Sequence, residues 1–298
     1  MTAGNSLPKT SPGARLRGAY ADRAIAVPGV FNALVARQAE EAGFKALYQS
    51  GAALSASLSA TPDVGLLTVT EFAQQGKYLA EAVNIPVFSD ADTGFGEALA
   101  VERTVREFES AGLAGLHLED QRLPKRCGHL SGKELVSTTE MVAKIKAAVA
   151  SRRDPDFVII ARTDARASEG LPAAVDRAKA YLDAGADVIF PEALQSAEEF
   201  RQFGTDLRAP MLANMTEFGK SPLLSVAELE EWGYRLILFP VTIMRVAMQA
   251  TKQALETLAR EGSQQLFLDQ MQTRAQLYEL LRYDSYDQRD QSYFGKKN

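Results

Sequence analysis

One loop of the sequence concentrates groups that can carry acid–base or nucleophilic chemistry. The stretch QRLPKRCGHLSGKEL, residues 121–135, contains the only cysteine of the chain, Cys127, together with Lys125, Arg126 and His129. Nearby cations favour a thiolate and lower the pKa of a thiol. Most lone cysteines are small buried apolar residues, but arginine and glycine neighbours are not typical of a buried element. We therefore predict a reactive cysteine, as nucleophile or proton donor, in a loop that closes over a site.

A second chemical signal is the aspartate pair in SDADTGFG. Asp90 and Asp92 are two positions apart, and residues i and i+2 of a strand point to the same face. Two carboxylates without a neighbouring histidine or cysteine suit Mg²⁺ or Mn²⁺, which prefer oxygen ligands. Zinc is disfavoured because the chain has two histidines and one cysteine. An Asp- and Gly-rich turn is the alternative, and the position at a strand end favours the metal.

The elements that must position these residues follow a repeating pattern. Eight β-branched runs, which we predict to be strands, span residues 24–30, 45–50, 85–90, 114–119, 156–162, 187–192, 210–215 and 235–240. Amphipathic stretches lie between them, and four helix-to-strand junctions carry a glycine. Eight strand–helix units predict an α/β protein with a closed (β/α)8 TIM barrel. A doubly wound sheet is the alternative, but no glycine-rich phosphate-binding sequence follows the first strand.

The pattern also predicts how the chain is divided. Residues 1–18 lack apolar periodicity and are interpreted as a flexible tail, and residues 19–261 form the catalytic barrel. From residue 262 to 298 the strand–helix alternation is replaced by helical segments such as SQQLFLDQMQTRAQLYELLRY, which we interpret as a C-terminal appendage.

Polar residues occur at the predicted strand ends, where the active site of such a barrel lies. They are Ser50, Gly51, Asp90, Asp92, Glu119, Asp120, Arg162, Asp164, Glu192 and Asn214. Several fall inside apolar runs, as in VIFPEA and PMLANM, which is unusual for residues of surface loops. We predict that they share one site. His117, in GLHLED, is expected to be a packed, hydrogen-bonded residue without a catalytic role.

Composition excludes several classes of function. A chain of 298 residues with 46% hydrophobic residues can bury a large core. No apolar run approaches the 18 residues of a membrane-spanning helix, and a net charge of −5 argues against a nucleic-acid or anionic membrane surface. A single cysteine excludes an internal disulfide, and the first residues lack the apolar segment of a secretory signal. We therefore expect a cytoplasmic protein.

Seven motifs of the chain resemble a known family. DADTGFG, LHLEDQ, PKRCGH, ARTDA, FPEA, LANMTEFG and MQTRAQLYE are similar, in order and spacing, to the isocitrate lyase and phosphoenolpyruvate mutase superfamily, from about residue 20 to residue 290. The resemblance implies a barrel whose C-terminal helix is exchanged between subunits of a homotetramer, a dimer of dimers. It also implies Mg²⁺, with Mn²⁺ as a substitute, and a small tricarboxylate substrate. The implied reaction is the reversible cleavage of 2-methylisocitrate to pyruvate and succinate in the methylcitrate cycle of propionate breakdown.

The resemblance further implies roles for individual residues. Asp90 and Asp92 would bind the metal, with Asp63 nearby. The implied catalytic residues are Cys127, Tyr48 and Glu119. Cys127 would protonate the succinate carbon, and the base stays open among Tyr48, Glu119 and a hydroxide on the metal. The implied substrate-binding residues are Ser50, Gly51, Ala52, Gly128, Arg162, Glu192, Asn214, Thr216, Arg245 and Arg274. Ala52 replaces a glycine of many relatives, and its methyl group could crowd the carboxylate loop.

Substrate choice depends on one methyl group. Phe190, Leu238 and Pro240 are predicted to form an apolar wall for the methyl group that distinguishes 2-methylisocitrate from isocitrate. A buried methylene is worth about 0.8 kcal/mol, and pocket discrimination at this level is roughly 10–200-fold. Isocitrate lyase-like or dimethylmalate lyase-like activity is the alternative. Hydrolysis of a 2-oxo acid or phosphonopyruvate, or a barrel without catalysis, is a more distant one.

Overall fold

Eight parallel strands close into a barrel in a computed structural model that describes residues 10–126, 128–129 and 132–295. Each strand pairs with its neighbours in sequence, and β1 pairs with β8 to close the barrel. The strands are β1 Ile25–Val30, β2 Leu47–Gln49, β3 Val87–Asp90, β4 Gly115–Glu119, β5 Val158–Thr163, β6 Val188–Pro191, β7 Met211–Asn214 and β8 Tyr234–Phe239. The predicted barrel and its eight strands are confirmed.

Helices connect the strands and continue beyond them. They are α1 Pro12–Tyr20, α2 Ala33–Glu41, α3 Gly51–Ser59, α4 Val69–Ala82, α5 Ala98–Ser110, α6 Thr138–Ser151, α7 Leu171–Asp183, α8 Ala197–Leu207, α9 Val226–Glu231, α10 Thr242–Glu261, α11 Arg274–Leu281 and α12 Tyr283–Phe294. The glycines at the predicted helix-to-strand junctions have positive φ, for example +84° at Gly112 and +103° at Gly185. Glycine adopts this conformation without the penalty that a Cβ brings, so each junction ends a helix and starts a strand.

The barrel has two apolar layers. The larger one lies between strands and helices and includes Phe72, Phe108 and Phe203. The smaller one contains the side chains that alternate with them along the strands, including Phe88 and Ile160. Because both faces of the strands are buried, their sequences are nearly continuous apolar runs, as is typical of parallel barrels.

The predicted N-terminal tail is wrong from Pro12 onward, since α1 occupies residues that were interpreted as flexible. Ser11 caps this helix by accepting the N–H of Ala14 at 3.1 Å. Leu16 and Tyr20 are buried in the smaller apolar layer. Arg17 of α1 pairs at 2.8 Å with Asp187, which precedes β6. The helix therefore covers the amino-terminal end of the barrel, opposite the strand ends that carry the polar residues.

Contacts divide the chain into two units, Met1–Ile243 and Met244–Asn298. The predicted limit lies after residue 261, whereas by contacts α10, which has no buried residue, groups mainly with the helices that follow it. The second unit also contains a 3-10 segment, Gln265–Gln270. Within the described ranges, no helix has the length and apolar character needed to cross a membrane.

Candidate active site

The carboxyl ends of strands β2 to β7 bring polar residues together at one end of the barrel. The contributing residues are Ser50 after β2, Asp90 and Asp92 at the end of β3, Glu119 in β4, Arg162 and Asp164 at the end of β5, Glu192 after β6 and Asn214 in β7. All are buried except Asn214, which is half-buried. Side chains from neighbouring strands contact one another, so these residues form one polar cluster.

Asp63, Asp90 and Asp92 form a carboxylate cluster at this end of the barrel. β3 ends at Asp90, and Asp92 follows in the left-handed region with φ +48°. The expectation that both aspartates project from one strand face is therefore wrong. The chain turns instead, and the N–H of Asp92 donates to Asp90 Oδ1 at 2.8 Å. Lys125 is 2% exposed, donates to Asp63 Oδ1 at 2.5 Å and pairs with Asp92.

The carboxylate cluster confines negative charge where little water reaches it. Burial raises the pKa of Asp92 to about 7, and Asp90 and Asp63 act in the same direction, against Lys125. For Asp90, burial is outweighed by His117, Lys125 and the N–H of Asp92, which lower its pKa to about 2. A divalent cation would relieve this repulsion. The all-oxygen donor set fits Mg²⁺ or Mn²⁺.

The carboxylate cluster supplies only part of a coordination shell. Among the residues that the structure describes, no three His, Asp or Glu side chains are grouped so as to hold an ion by themselves. Mg²⁺ is commonly bound by one or two carboxylates and completes its octahedron with water and substrate oxygens. Asp90 and Asp92 therefore suit an ion that also binds a substrate.

Tyr48 and His117 form a buried pair beside Asp90. The Tyr48 hydroxyl lies 2.7 Å from His117 Nε2 and 3.3 Å from Asp90 Oδ2. Burial raises the pKa of Tyr48 well above its usual value, and Asp90 adds to the effect. Burial lowers the pKa of His117. Tyr48 therefore stays a phenol near pH 7, and His117 is packed and hydrogen-bonded, in agreement with the sequence.

Arg162 is the cation around which the acids of β4, β5 and β6 are arranged. Its Nε and Nη2 donate to Asp164 Oδ2 and Oδ1 at 2.9 and 3.1 Å. Its Nη1 lies 3.2 Å from Glu119 Oε2, and its Nε lies 3.7 Å from Glu192 Oε2. Burial opposes the charge of Arg162, but Asp164 and Glu119 raise its pKa well above the usual value. A fully charged guanidinium therefore lies inside the site.

Glu119 is, with Asp92, an acid of the site whose charged form burial disfavours. Burial raises its pKa well above the usual value, against the attraction of Arg162. Its Oε1 accepts no hydrogen bond from any described residue. Glu119 therefore has an oxygen that remains available to a ligand.

The β4–α6 loop, residues 120–137, packs directly on the acid–arginine pair. His129 Nε2 lies 2.9 Å from Glu192 Oε1, and His129 Nδ1 accepts the N–H of Lys220 at 2.9 Å. Burial opposes ionisation of Glu192, but Arg162 and His129 hold its pKa well below the usual value. A Cβ at Gly128 would lie 2.5 Å from Arg162 Nη2 and 2.6 Å from Glu192 Cδ, so the loop approaches this closely only with glycine there.

The first turn of α3 lies against Asp90. Ser50 caps this helix, and its Oγ accepts the N–H of Ala53 at 3.2 Å. A Cβ at Gly51 would lie 2.5 Å from Asp90 Oδ2, so this contact also requires glycine. Ala52 is half-buried. Backbone N–H groups at the start of a helix favour an anion, which suits a substrate carboxylate near Ser50 and Gly51.

Asn214 and the predicted methyl-pocket residues lie on β6, β7 and β8. Asn214 Nδ2 donates to Glu192 Oε2 at 3.2 Å. Phe190 and Leu238 are 1% exposed and belong to the smaller apolar layer, and the Phe190 ring lies 5.2 Å from the guanidinium carbon of Arg162. Leu238 is in register with Asn214. Pro240 is buried just after β8.

The remaining predicted residues lie on other parts of the chain. Thr216 is half-buried two residues beyond β7. Arg245 is on α10 and Arg274 begins α11, and both belong to the second unit. Cys127 lies outside the described residues.

Two lysines of the β4–α6 loop were missed as site residues. Lys125 was interpreted only as a cation beside the thiol, whereas it contacts the carboxylate cluster. Lys133 Nζ donates to Asp164 Oδ1 at 2.6 Å and to the carbonyl oxygen of Gly128. A signal was present in the sequence. The strand ends carry many acids and a single arginine, and buried acids need cations.

Known proteins are similar to this chain in sequence. The sequence profile of the phosphoenolpyruvate phosphomutase family matches residues 19–259. A probable 2-methylisocitrate lyase 1 of Corynebacterium glutamicum is 55% identical, with 90% of this chain and 88% of that protein covered. A 2-methylisocitrate lyase of Aeropyrum pernix is 52% identical, with 95% of this chain and 91% of that protein covered.

Solved structures extend the comparison to other reactions on the same barrel. A crystal structure of 2,3-dimethylmalate lyase, described as a PEP mutase/isocitrate lyase superfamily member, has a TM-score of 0.90 and 39% identity, with 97% of each chain covered. A phosphonopyruvate hydrolase in complex with oxalate and Mg²⁺ has a TM-score of 0.86 and 30% identity, with 95% of this chain and 99% of that chain covered. The chain therefore belongs to the phosphoenolpyruvate mutase and isocitrate lyase superfamily.

Proposed function

We propose that the barrel is a 2-methylisocitrate lyase, which cleaves 2-methylisocitrate reversibly to pyruvate and succinate in propionate breakdown. The observation that carries the proposal is the 52–55% identity to 2-methylisocitrate lyases over nine-tenths or more of the chain. The site supports it, because a buried carboxylate cluster suited to a hard cation lies beside Arg162, whose guanidinium can bind a carboxylate. A tricarboxylate needs both kinds of partner.

In this proposal the substrate is held by groups from several strand ends. The α3 amino terminus with Ser50 and Gly51 binds one carboxylate, and Arg162 binds another. The remaining substrate contacts come from Ala52, Gly128, Glu192, Asn214, Thr216, Arg245 and Arg274. Asp90 and Asp92 would hold Mg²⁺, which would supply Lewis-acid polarisation of the substrate hydroxyl. Donors that are already in place stabilise charge that develops during the reaction without reorganising.

The reaction breaks one carbon–carbon bond and transfers two protons, one from the C2 hydroxyl and one to C3. The C2 hydroxyl loses its proton, and its oxygen electrons form the carbonyl of pyruvate. The C2–C3 bond breaks, and its electron pair passes to C3 and into the carboxylate attached to C3, giving the aci form of succinate. Arg162 stabilises the added negative charge, and Cys127 donates a proton to C3 to give succinate.

We assign Glu119, in the carboxylate form that Arg162 favours, as the residue that accepts the hydroxyl proton. Glu119 Oε1 has no hydrogen-bond partner among the described residues, whereas the Tyr48 hydroxyl is engaged between His117 and Asp90. Tyr48 then orients Asp90 instead of reacting. Lys125 balances the charge of Asp63 and Asp92, so that the carboxylate cluster can stay ionised.

A dimethylmalate lyase is a second candidate function. The observation that favours it is the 39% identity and TM-score of 0.90 to a 2,3-dimethylmalate lyase structure. Cleavage of 2,3-dimethylmalate breaks the same bond type and gives pyruvate with propionate. The substrates differ in the group on C3, so the apolar wall of Phe190, Leu238 and Pro240, which faces the C2 methyl group in our proposal, does not separate them.

A coupled assay for pyruvate distinguishes these functions. Lactate dehydrogenase and NADH report pyruvate release from racemic 2-methylisocitrate and from 2,3-dimethylmalate, and glyoxylate release from isocitrate is followed in parallel, each with Mg²⁺ and with EDTA. We expect Mg²⁺-dependent cleavage of 2-methylisocitrate with a kcat/KM at least about tenfold above that of isocitrate. Faster cleavage of 2,3-dimethylmalate would replace the assignment by the second candidate. An absence of pyruvate from both acids would refute both.

We also propose that the second unit mediates assembly into a homotetramer with an exchanged C-terminal helix. None of the residues of α10 is buried, and Val246, Leu255 and Leu258 are exposed there, followed by Leu266 and Leu268. An apolar surface this extensive is typical of an interface. A second copy of the same chain is the occupant that this family resemblance supports.

Replacing Leu255 and Leu258 together by glutamate is expected to reduce the assembly. Mass photometry of the parent should give four times the 32.4 kDa of one chain, and the double variant should give dimers or monomers, since charged groups resist burial in an apolar interface. Leu99→Glu is the matched control, because Leu99 is 80% exposed on α5 in the barrel unit. A double variant that keeps the parent mass would contradict the proposed interface.

A further inference from the structure

A buried lysine joins the β4–α6 loop to the acid that holds Arg162. The side chain of Lys133 is 3% exposed, and its Nζ donates to Asp164 Oδ1 at 2.6 Å and to the carbonyl oxygen of Gly128. Asp164 is fully buried, and its two oxygens also accept the Nε and Nη2 hydrogen bonds of Arg162. The Lys133 ammonium group therefore connects the Gly128 carbonyl to Asp164, the carboxylate that accepts hydrogen bonds from Arg162.

We infer that Lys133 is a positioning residue that fixes the Gly128 peptide, the neighbour of Cys127 in the chain, against the Arg162–Asp164 pair. The contact spans five residues of the loop and so closes a short ring of backbone and side chain. The backbone at Gly128 is packed closely against Arg162, because a Cβ there would lie 2.5 Å from Arg162 Nη2. Because Cys127 is bonded to Gly128 in the chain, its thiol is a probe for the release of this peptide.

Neutralisation of Asp164 does not by itself account for this arrangement. Arg162 already donates two hydrogen bonds to this carboxylate. Lys133 adds a bond to a backbone carbonyl, which carries no net charge. A cation that only neutralised Asp164 would not require this hydrogen bond to the Gly128 carbonyl. The anchor is also rigid, because the N–H of Asp164 donates to the buried Asp120 Oδ1 at 2.9 Å.

The loop has a second attachment that does not involve Lys133. His129 lies 2.9 Å from Glu192 Oε1 and accepts a hydrogen bond from the backbone of Lys220. Removing the Lys133 ammonium should therefore release the Gly128 peptide without detaching the whole loop. A variant of Lys133 is expected to fold, with Cys127 more accessible than in the parent.

The single cysteine of the chain gives a direct measurement. Iodoacetamide alkylation is followed over a pH series up to its thiolate plateau, which separates access to the thiol from its pKa. The variants are Lys133→Ala and Lys133→Met, which keeps the apolar part of the side chain. Lys146→Ala is the control, since Lys146 is exposed on α6. We expect the plateau rate constant to rise at least roughly fivefold in both Lys133 variants, and to stay unchanged in the control.

Turnover and rescue test the positioning role. This measurement rests on the proposed function. In both Lys133 variants, kcat for 2-methylisocitrate is expected to fall roughly 100-fold with little change in KM, as for a displaced catalytic group. Ethylammonium should restore kcat and slow alkylation in Lys133→Ala, where it can occupy the space of the lost ammonium. It should do neither in Lys133→Met, where that space is filled.

The alkylation and turnover measurements test different claims. If the parent does not cleave 2-methylisocitrate, the proposed function is wrong, and the alkylation rates, which need no substrate, still decide the role of Lys133. Plateau rate constants in both Lys133 variants that are equal to or below the parent value would overturn the inference. Loss of turnover without faster alkylation would overturn it too.

Discussion

The Arg162→Met protein is expected to unfold roughly 6–20 °C below the parent in a thermal scan. Arg162 donates to Asp164 at 2.9 and 3.1 Å and lies 3.2 Å from Glu119, and both acids are buried. Removing one partner of a buried ion pair costs about 3–5 kcal/mol, because the remaining charge is left without compensation. Each kcal/mol shifts the melting temperature by about 2–4 °C in a protein of this size class.

Two further variants define the cause of the expected loss. Arg162→Lys keeps the charge but not the two-pronged geometry, so its melting temperature should fall between those of the parent and Arg162→Met. Arg103→Met is the surface control, since Arg103 on α5 is 65% exposed and lies 3.5 Å from Glu107, a pair that contributes at most about 1 kcal/mol. A melting temperature of Arg162→Met equal to that of the control would show that the buried acids do not depend on Arg162.

The Asp90→Asn protein is expected to lose both its response to Mg²⁺ and its lyase turnover. In the parent, Mg²⁺ at 100 times its dissociation constant should stabilise the fold by about 2.7 kcal/mol, which corresponds to roughly 5–11 °C. The gain arises because the ion relieves the repulsion between Asp90 and Asp92 in a buried site. An amide at position 90 removes one ligand charge and with it most of this gain.

The loss of turnover in Asp90→Asn should be large. A bound metal supplies several kcal/mol of charge stabilisation to a reaction of this class, which corresponds to roughly a thousandfold or more in kcat/KM. Asp206→Asn is the matched control, since Asp206 is exposed on α8. Asp90→Asn with the parent's Mg²⁺ shift would exclude Asp90 as a ligand, even if its turnover were lost.

The barrel could be predicted from sequence because its signals are local. Strands buried on both faces require continuous apolar runs, and four of the preceding helices end at a glycine, such as Gly112 or Gly185. α1 was missed for the opposite reason. Its sequence, PGARLRGAY, has few apolar residues, and its stability depends on Leu16 and Tyr20 reaching the interior of the barrel. That contact is not encoded in a local pattern.

The sequence predicted which residues make up the candidate site better than it predicted the contacts between them. The strand-end rule identified Asp90, Glu119 and Arg162, since a parallel barrel gathers such positions at one end. The contacts of Lys125 and Lys133 depend on the path of an irregular loop, which sequence spacing does not define. The spacing of Asp90 and Asp92 predicted correctly that the two residues are close together, but the reason was incorrect. They do not project from one strand face, because the chain turns at Asp92, which is in the left-handed region.

The pairing of β1 with β8 also determines when the protein can fold. Ile25 is in register with Leu236, so the two strands that close the barrel are made at opposite ends of its synthesis. At about 5–20 residues per second, the ribosome needs roughly 10–40 s to add the intervening chain. During that interval β1 has an open edge and its apolar faces are uncovered, which is the condition under which strands aggregate. The barrel unit therefore cannot close until β8 has been synthesised.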